Sequence, residues 1–131
     1  MLIAWILQKP FVPLLRSRVT DKTPKTLAKM TIAQQLKIKK FPFIIKDDQG
    51  NEVYFEISNG YWYKQEYDER GNRVYYEDSN GYWTKREYDD QGNQVYLEDS
   101  NGYWTKREYD DQGNQVYFED SNGQIVDNRA S

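Results

Sequence analysis

A chain of 131 residues has room for one ordinary domain, and its composition limits the chemistry available to it. With no Cys there are no disulfides or thiolate metal sites, and with no His the commonest general base and metal ligand is missing. The charged fraction of 30% would suit disorder, but disordered chains are poor in aromatics; twelve Tyr and four Trp instead imply an ordered, thin structure with much surface for its core. The net charge of −3 conceals a split, since residues 1–46 carry ten Lys/Arg and the single acid Asp21 (+9), while residues 47–131 carry eight Lys/Arg against twenty acids (−12). Such asymmetry between segments is a signal of partners.

Residues 1–29 read as a basic extension, expected to be flexible. Its apolar start, Met1 to Leu7, is too short to span a bilayer. It lacks the basic leader and small-residue cleavage site of a signal peptide, so a cytoplasmic location is expected. Pro10, Pro13 and Pro24 break any long helix here. Residues 30–46 read as a cap and a first strand. Thr31-Ile-Ala-Gln34 has the form of a capping box, and Ile32 and Leu36 are spaced i, i+4, which predicts a short helix over 31–39. Met30 directly precedes the box, so both Met1 and Met30 stand as candidate starts.

Residues 47–126 hold four units of a 21-residue period, beginning at Asp47, Asp68, Asp89 and Asp110, the last one truncated. The second and third units agree at 17 of 21 positions. Each contains two turn signals, Asp-x-x-Gly and Asp-Ser-Asn-Gly, with Ile57 replacing the second Asp in the first unit. Between them lie β-branched and aromatic runs of strand length, such as Val95 to Glu98 and Tyr103 to Tyr109. The expected fold is all-β: tandem hairpins in an antiparallel meander of seven or eight strands over 41–126, with a short amino-terminal capping helix. Residues 127–131 form a polar tail.

Face assignment depends on turn type. A two-residue Asn-Gly turn combined with a three-residue Asp-x-x-Gly loop puts Val95, Leu97 and Asp99 with Trp104, Lys106 and Glu108; other turns exchange the partners. The first scheme also gathers Phe41, Phe43, Ile45, Val53, Phe55, Ile57 and Trp62 into one apolar face under the helix, as a terminal repeat requires. It predicts a core of Leu36, Phe43, Phe55 and Ile57. Tyr82, Arg86, Tyr88, Tyr96, Tyr103, Arg107 and Tyr109 become the candidate binding residues, because Tyr and Arg are enriched in binding hot spots.

The sequence Glu-Tyr-Asp-x-x-Gly-Asn with a following Asp-Ser-Asn-Gly, at Tyr67, Tyr88 and Tyr109 and the residues after each, resembles the tyrosine–aspartate (YD) repeat of Rhs-type and insecticidal toxin shells. The likeness covers about 47–126 and implies a β-meander; four units cannot close the hollow shell those large proteins build. Looser resemblances are to MORN-variant repeats and, through Gly-Tyr-Trp at 60–62, 81–83 and 102–104, to choline- and cell-wall-binding repeats. The second Trp pair of the latter is absent here.

The carboxylates recur alike in every unit, whereas an active site is a unique constellation, so no catalytic residue is assigned. Asp89 to Asn93 and its copies could offer oxygens to Ca²⁺, but an Asp/Gly turn explains the same residues, and no metal or cofactor is expected. Regular Trp and Tyr rows suit either cross-strand stabilisation or stacking on a sugar. The leading expectation is a non-enzymatic protein-binding repeat module of bacterial or phage origin. Glycan or cell-wall binding, and acidic inhibition of a nucleic-acid-binding enzyme, are the alternatives. Direct nucleic-acid binding by the acidic repeats is disfavoured.

Overall fold

In the computed structural model, residues 30–130 are described; the basic extension expected over 1–29 lies outside them. One short helix, α1 (Ile32–Gln35), precedes nine strands: β1 (Phe43–Lys46), β2 (Glu52–Glu56), β3 (Trp62–Tyr67), β4 (Arg73–Asp78), β5 (Trp83–Tyr88), β6 (Gln94–Asp99), β7 (Trp104–Tyr109), β8 (Gln115–Asp120) and β9 (Ile125–Asp127). They follow one another in chain order as an all-β antiparallel meander. The chain divides into two compact units, one ending at Trp62 and the other beginning at Tyr63.

In the first unit α1 starts as its sequence predicts. Gln34 N–H donates to Thr31 Oγ1 at 3.2 Å, and Thr31 N–H donates to Gln34 Oε1 at 3.0 Å, the reciprocal capping box. It ends four residues sooner than expected. Lys37 takes φ 57°, Ile38 N–H donates to Ala33 C=O at 2.8 Å and Lys37 N–H to Gln34 C=O at 3.1 Å. These two bonds make a Schellman stop in which Lys fills the place usually taken by Gly. That stop has no glycine to announce it in the sequence.

The apolar face expected at this end is also rearranged. Phe43 pairs with Glu56, Ile44 with Phe55 and Ile45 with Tyr54, so Phe55 lies on the face opposite Phe43, Ile45 and Tyr54. Tyr54 (2% exposed), Ala33 (0%), Ile45 (8%) and the carboxylate residue Glu56 (1%) form the core. Leu36, Phe43, Phe55 and Ile57, the core expected from sequence, are each only half-buried. Phe43 meets the Tyr54 ring edge-on at 6.1 Å and Trp62 stacks on it at 6.1 Å.

In the second unit the two turn signals make the same turn. Gly102 N–H donates to Asp99 C=O at 3.0 Å and Asp99 N–H to Tyr103 C=O at 2.9 Å; Gly92 and Asp89 repeat this with Asn93 at 3.0 and 2.9 Å. Each is a type I turn closed by a glycine in the left-handed region, φ 83° at Gly102 and 87° at Gly92. Lys37 is the only non-glycine with positive φ among the described residues, so Asn101 does not adopt the conformation that a two-residue Asn-Gly turn needs. The reason is the preceding Asp. Asp99 Oδ1 accepts the N–H groups of Asn101 (2.8 Å) and Tyr103 (3.2 Å), as Asp89 Oδ1 accepts those of Gln91 (2.9 Å) and Asn93 (2.8 Å).

A loop one residue longer than the two-residue turn flips every partner to the other face. Tyr96 pairs with Lys106, Leu97 with Thr105 and Glu98 with Trp104. The sequence-based scheme that joined Leu97 to Trp104 and Lys106 is therefore overturned. At the Asp-x-x-Gly end the register jumps from Glu87–Tyr96 to Tyr88–Gln94, and from Glu108–Tyr117 to Tyr109–Gln115, leaving Val95 and Val116 as bulge residues. Neighbouring hairpins are also fastened at the opposite end. Trp83 N–H donates to Ser100 Oγ at 3.3 Å while Ser100 N–H donates to Trp83 C=O at 3.0 Å, and Trp104 with Ser121 repeats the exchange.

Candidate functional site

The register sorts the second unit into two unlike faces. One carries Trp83 and Trp104, Tyr75, Tyr96 and Tyr117, Lys64, Lys85 and Lys106, and all six strand glutamates (66, 77, 87, 98, 108 and 119). The Trp and Tyr rows, expected on opposite faces, thus interleave on one. Several of its charges have partners within the face. Lys85 and Lys106 lie 5.2 Å from the Trp83 and Trp104 ring centroids, and Lys64 Nζ pairs with Glu77 Oε2 at 2.9 Å. The Tyr75, Tyr96 and Tyr117 hydroxyls donate to the carboxylates of Glu77, Glu98 and Glu119 at 3.0, 3.3 and 3.0 Å. Burial, and then the Glu77 carboxylate, push the Tyr75 phenol up to about 12. Arg129 covers Tyr117 at 4.2 Å and pairs with Asp127 and Glu108 at 2.7 and 3.3 Å, closing this face at its last strand.

The other face carries Arg86 opposite Leu97 and Arg107 opposite Phe118, with Thr84, Thr105 and Tyr76. Strict alternation along β5 and β7 adds Tyr88 and Tyr109, and the same alternation reaches back to Tyr82 and Tyr103. Tyr82 is 39% exposed and its ring lies 6.4 Å from that of Tyr76. Six of the seven residues expected to bind are therefore brought together: Tyr82, Arg86, Tyr88, Tyr103, Arg107 and Tyr109. Tyr96 is not among them. The three-residue turn places it on the Trp face, between Glu87 and Lys106.

The acids of the Tyr/Arg face are Asp78, Asp99 and Asp120, and each is occupied by its turn. Asp78 Oδ1 takes the amides of Asn80 and Tyr82 at 2.9 and 3.3 Å, and Asp120 Oδ1 those of Asn122 and Gln124 at 2.9 and 3.0 Å. Arg86 and Arg107 have no carboxylate within ion-pair distance among the described residues. Arg107 lies over the Phe118 ring at 5.5 Å, and Arg86 Nη1 is buried without a hydrogen-bond partner. The hydroxyls of Thr84 and Thr105, 4% and 1% exposed, are likewise unpartnered. An acidic unit thus keeps its free guanidinium charge on one face, one repeat apart.

At the Asp-x-x-Gly loops, the Tyr88 and Tyr109 hydroxyls donate to the carbonyls of Arg73 and Gln94 at 3.3 and 3.4 Å, tying each hairpin to the one before it. Arg70 bridges successive loops by bonding the Asp90 carbonyl and carboxylate. An open cavity of about 260 Å³ lies there, lined by Asp68, Glu69, Arg70, Tyr88, Asp89 and Asp90. Asp89 is held below the usual carboxylate range by the Asn93 side chain and then by loop amides, so its oxygens are committed to the turn. Among the described residues no group of three or more Asp, Glu, His or Cys is arranged to hold a metal ion, and no helix is long and apolar enough to cross a membrane.

Sequence reasoning missed the buried threonines and the serine fasteners, which show only once register is known. It also missed Glu56, although the Tyr-x-Glu spacing at 54–56, 75–77, 96–98 and 117–119 was visible in every unit. No protein-family model and no curated protein matches the chain. What stands is a nine-stranded antiparallel β-hairpin repeat architecture.

Proposed function

We propose that this chain is a non-enzymatic protein-binding repeat module, and that its partner is held by Tyr82, Arg86, Tyr88, Tyr103, Arg107 and Tyr109. One observation carries the reading: Arg86 and Arg107 stand a repeat apart on an aromatic face whose acids are already bonded to turn amides. Unpaired guanidinium groups beside Tyr rings offer planar, bidentate recognition and large contact area at low entropic cost. The face suits a protein surface bearing carboxylates or backbone carbonyls. The likeness to YD repeats is taken with it, as a small open relative of the β-meander in those shells and as the ground for expecting a bacterial or phage source.

The glycan reading depends on bare Trp rings, and Lys85 and Lys106 lie against Trp83 and Trp104. The test is parallel affinity capture with the wild-type chain, a Tyr103→Ala/Arg107→Ala variant and a Trp83→Ala/Trp104→Ala variant, read by mass spectrometry. A protein retained by the first and third but lost by the second supports the proposal. Loss with the Trp variant alone, or elution by soluble glycan, would move binding to the Trp face.

A further inference from the structure

The first repeat shows what its Tyr-x-Glu pair can hold. Glu56 accepts three hydrogen bonds: from the Tyr54 hydroxyl at 2.9 Å, from Thr31 Oγ1 at 2.5 Å and from Ala33 N–H at 3.1 Å. The last two come from the capped first turn of α1. A carboxylate is thus seated on the Ala33 N–H, one of the groups that a helix start leaves without an intrahelical partner, and on the hydroxyl of the capping Thr31.

The second unit repeats the acceptor without the occupant. Tyr96–Glu98 and Tyr117–Glu119 stand in the same strand positions with the same hydroxyl-to-carboxylate bond, 3.3 and 3.0 Å. Each of these carboxylates has that one donor where Glu56 has three. Tyr75–Glu77 differs, because Lys64 already holds Glu77 at 2.9 Å. The surroundings differ in one informative way. Glu56 and Tyr54 are flanked across β1 by Phe43 and Ile45, whereas Glu98 and Tyr96 are flanked across β5 by Lys85 and Glu87. The apolar seat of a permanent cap is replaced by a charged one, suited to reversible docking of a polar segment.

We propose that Tyr96–Glu98 is a docking point for the Ser- or Thr-capped first turn of a helix in a partner protein, with basic residues following the turn; at Tyr117–Glu119 Arg129 already lies over the tyrosine ring at 4.2 Å. The chain's own cap has this chemistry: Thr31 leads the turn, and Lys37, Lys39 and Lys40 follow it. On the docking face Glu87 supplies the complementary charge, whereas Glu108 is already held by Arg129 at 3.3 Å. The site lies on the Trp face and does not depend on the Tyr/Arg face.

The experiment titrates isotope-labelled full-length chain with a synthetic peptide of residues 30–40, Met-Thr-Ile-Ala-Gln-Gln-Leu-Lys-Ile-Lys-Lys, and follows amide and Trp indole shifts. The expected result is movement at Glu98 and the Trp104 indole, which lies opposite it. A Glu98→Gln variant should bind about tenfold more weakly, the scale of a lost charged hydrogen bond. A peptide with Val in place of its Thr should lose as much against the wild-type chain, a comparison that needs no protein variant. Shifts confined to the Tyr82–Arg86 face or to Glu56, undiminished binding by the Gln variant, or no shift at millimolar peptide would each overturn the proposal.

Discussion

Replacing Glu56 by Ala tests whether the amino-terminal unit is built around a buried carboxylate. The residue is 1% exposed and serves three donors, of which Tyr54 (2% exposed) and the Ala33 amide (0% exposed residue) have no water to turn to. Leaving a buried donor unsatisfied costs about 1–3 kcal/mol, so these two alone put the loss at roughly 2–6 kcal/mol; Thr31, nearer the surface, can rotate toward solvent. That is a large share of the roughly 5–15 kcal/mol typical of a domain. Glu98→Ala is the matched control, since Glu98 holds one hydroxyl on an open face and its loss should cost about 0.5–1.5 kcal/mol. Urea unfolding followed by circular dichroism gives both values, and amide exchange at Ala33 and Tyr54 reports whether the cap opens first. Equal destabilisation by the two changes would refute the reasoning, because it would mean that Glu56 is no more than another strand glutamate.

Turn chemistry gives a second expectation. Gly102→Ala meets no atom within 4 Å of its new Cβ, so its cost is the left-handed backbone alone, about 1–2 kcal/mol. Asn101→Ala should cost clearly less, and thermal melts that rank them the other way would restore a two-residue Asn-Gly turn. Asp89 is held low by the Asn93 side chain, and Asp68 and Asp110 by the Asn72 and Asn114 amides first. A lowered folded value stabilises above the ordinary carboxylate value of about 3.9, so melting temperature should be level from pH 7 to 5 and fall below pH 4, less steeply in Asn93→Ala. Tyr75 has the opposite sign: raised to about 12 by burial and then by Glu77, it stabilises below the unfolded value of about 10 and loses this as pH rises toward 12. Phenolate absorbance should show one fewer late-titrating tyrosine in Tyr75→Phe than in the wild type, where burial and Glu56 also hold the Tyr54 phenol high.

Repeat length, strand positions and the alternation of turns were legible in the sequence because each depends on local chemistry: Asp and Gly at fixed offsets, and β-branched and aromatic runs between them. Which residues share a face was not, because it rests on one residue of loop length. Asp99 begins its turn and Gly102 stands fourth, the same spacing as Asp89 and Gly92, and that likeness was the signal that both loops are equal. Asn-Gly drew attention to the wrong pair of positions. Six of the seven candidate binding residues stayed together in spite of this, since Tyr82 to Tyr88 and Tyr103 to Tyr109 alternate along single strands, where register is irrelevant. Tyr96, chosen across a turn, went to the other face. The helix over 31–39 was overextended for a different reason: a left-handed Lys37 leaves no mark in composition.

The sorting of faces that separates Arg86 and Arg107 from the glutamates is tested most directly by paired cysteines, introduced into a chain that has none. Tyr96 lies opposite Lys106, at a pair whose backbones do not exchange hydrogen bonds and whose side chains are therefore close. Tyr96→Cys/Lys106→Cys should oxidise readily to an intramolecular disulfide under mild conditions, with the fold retained. Leu97→Cys/Lys106→Cys should not, because those side chains leave opposite faces. Efficient bridging in the second pair and none in the first would contradict the account, returning Leu97 to the Trp face and dispersing the proposed Tyr/Arg surface.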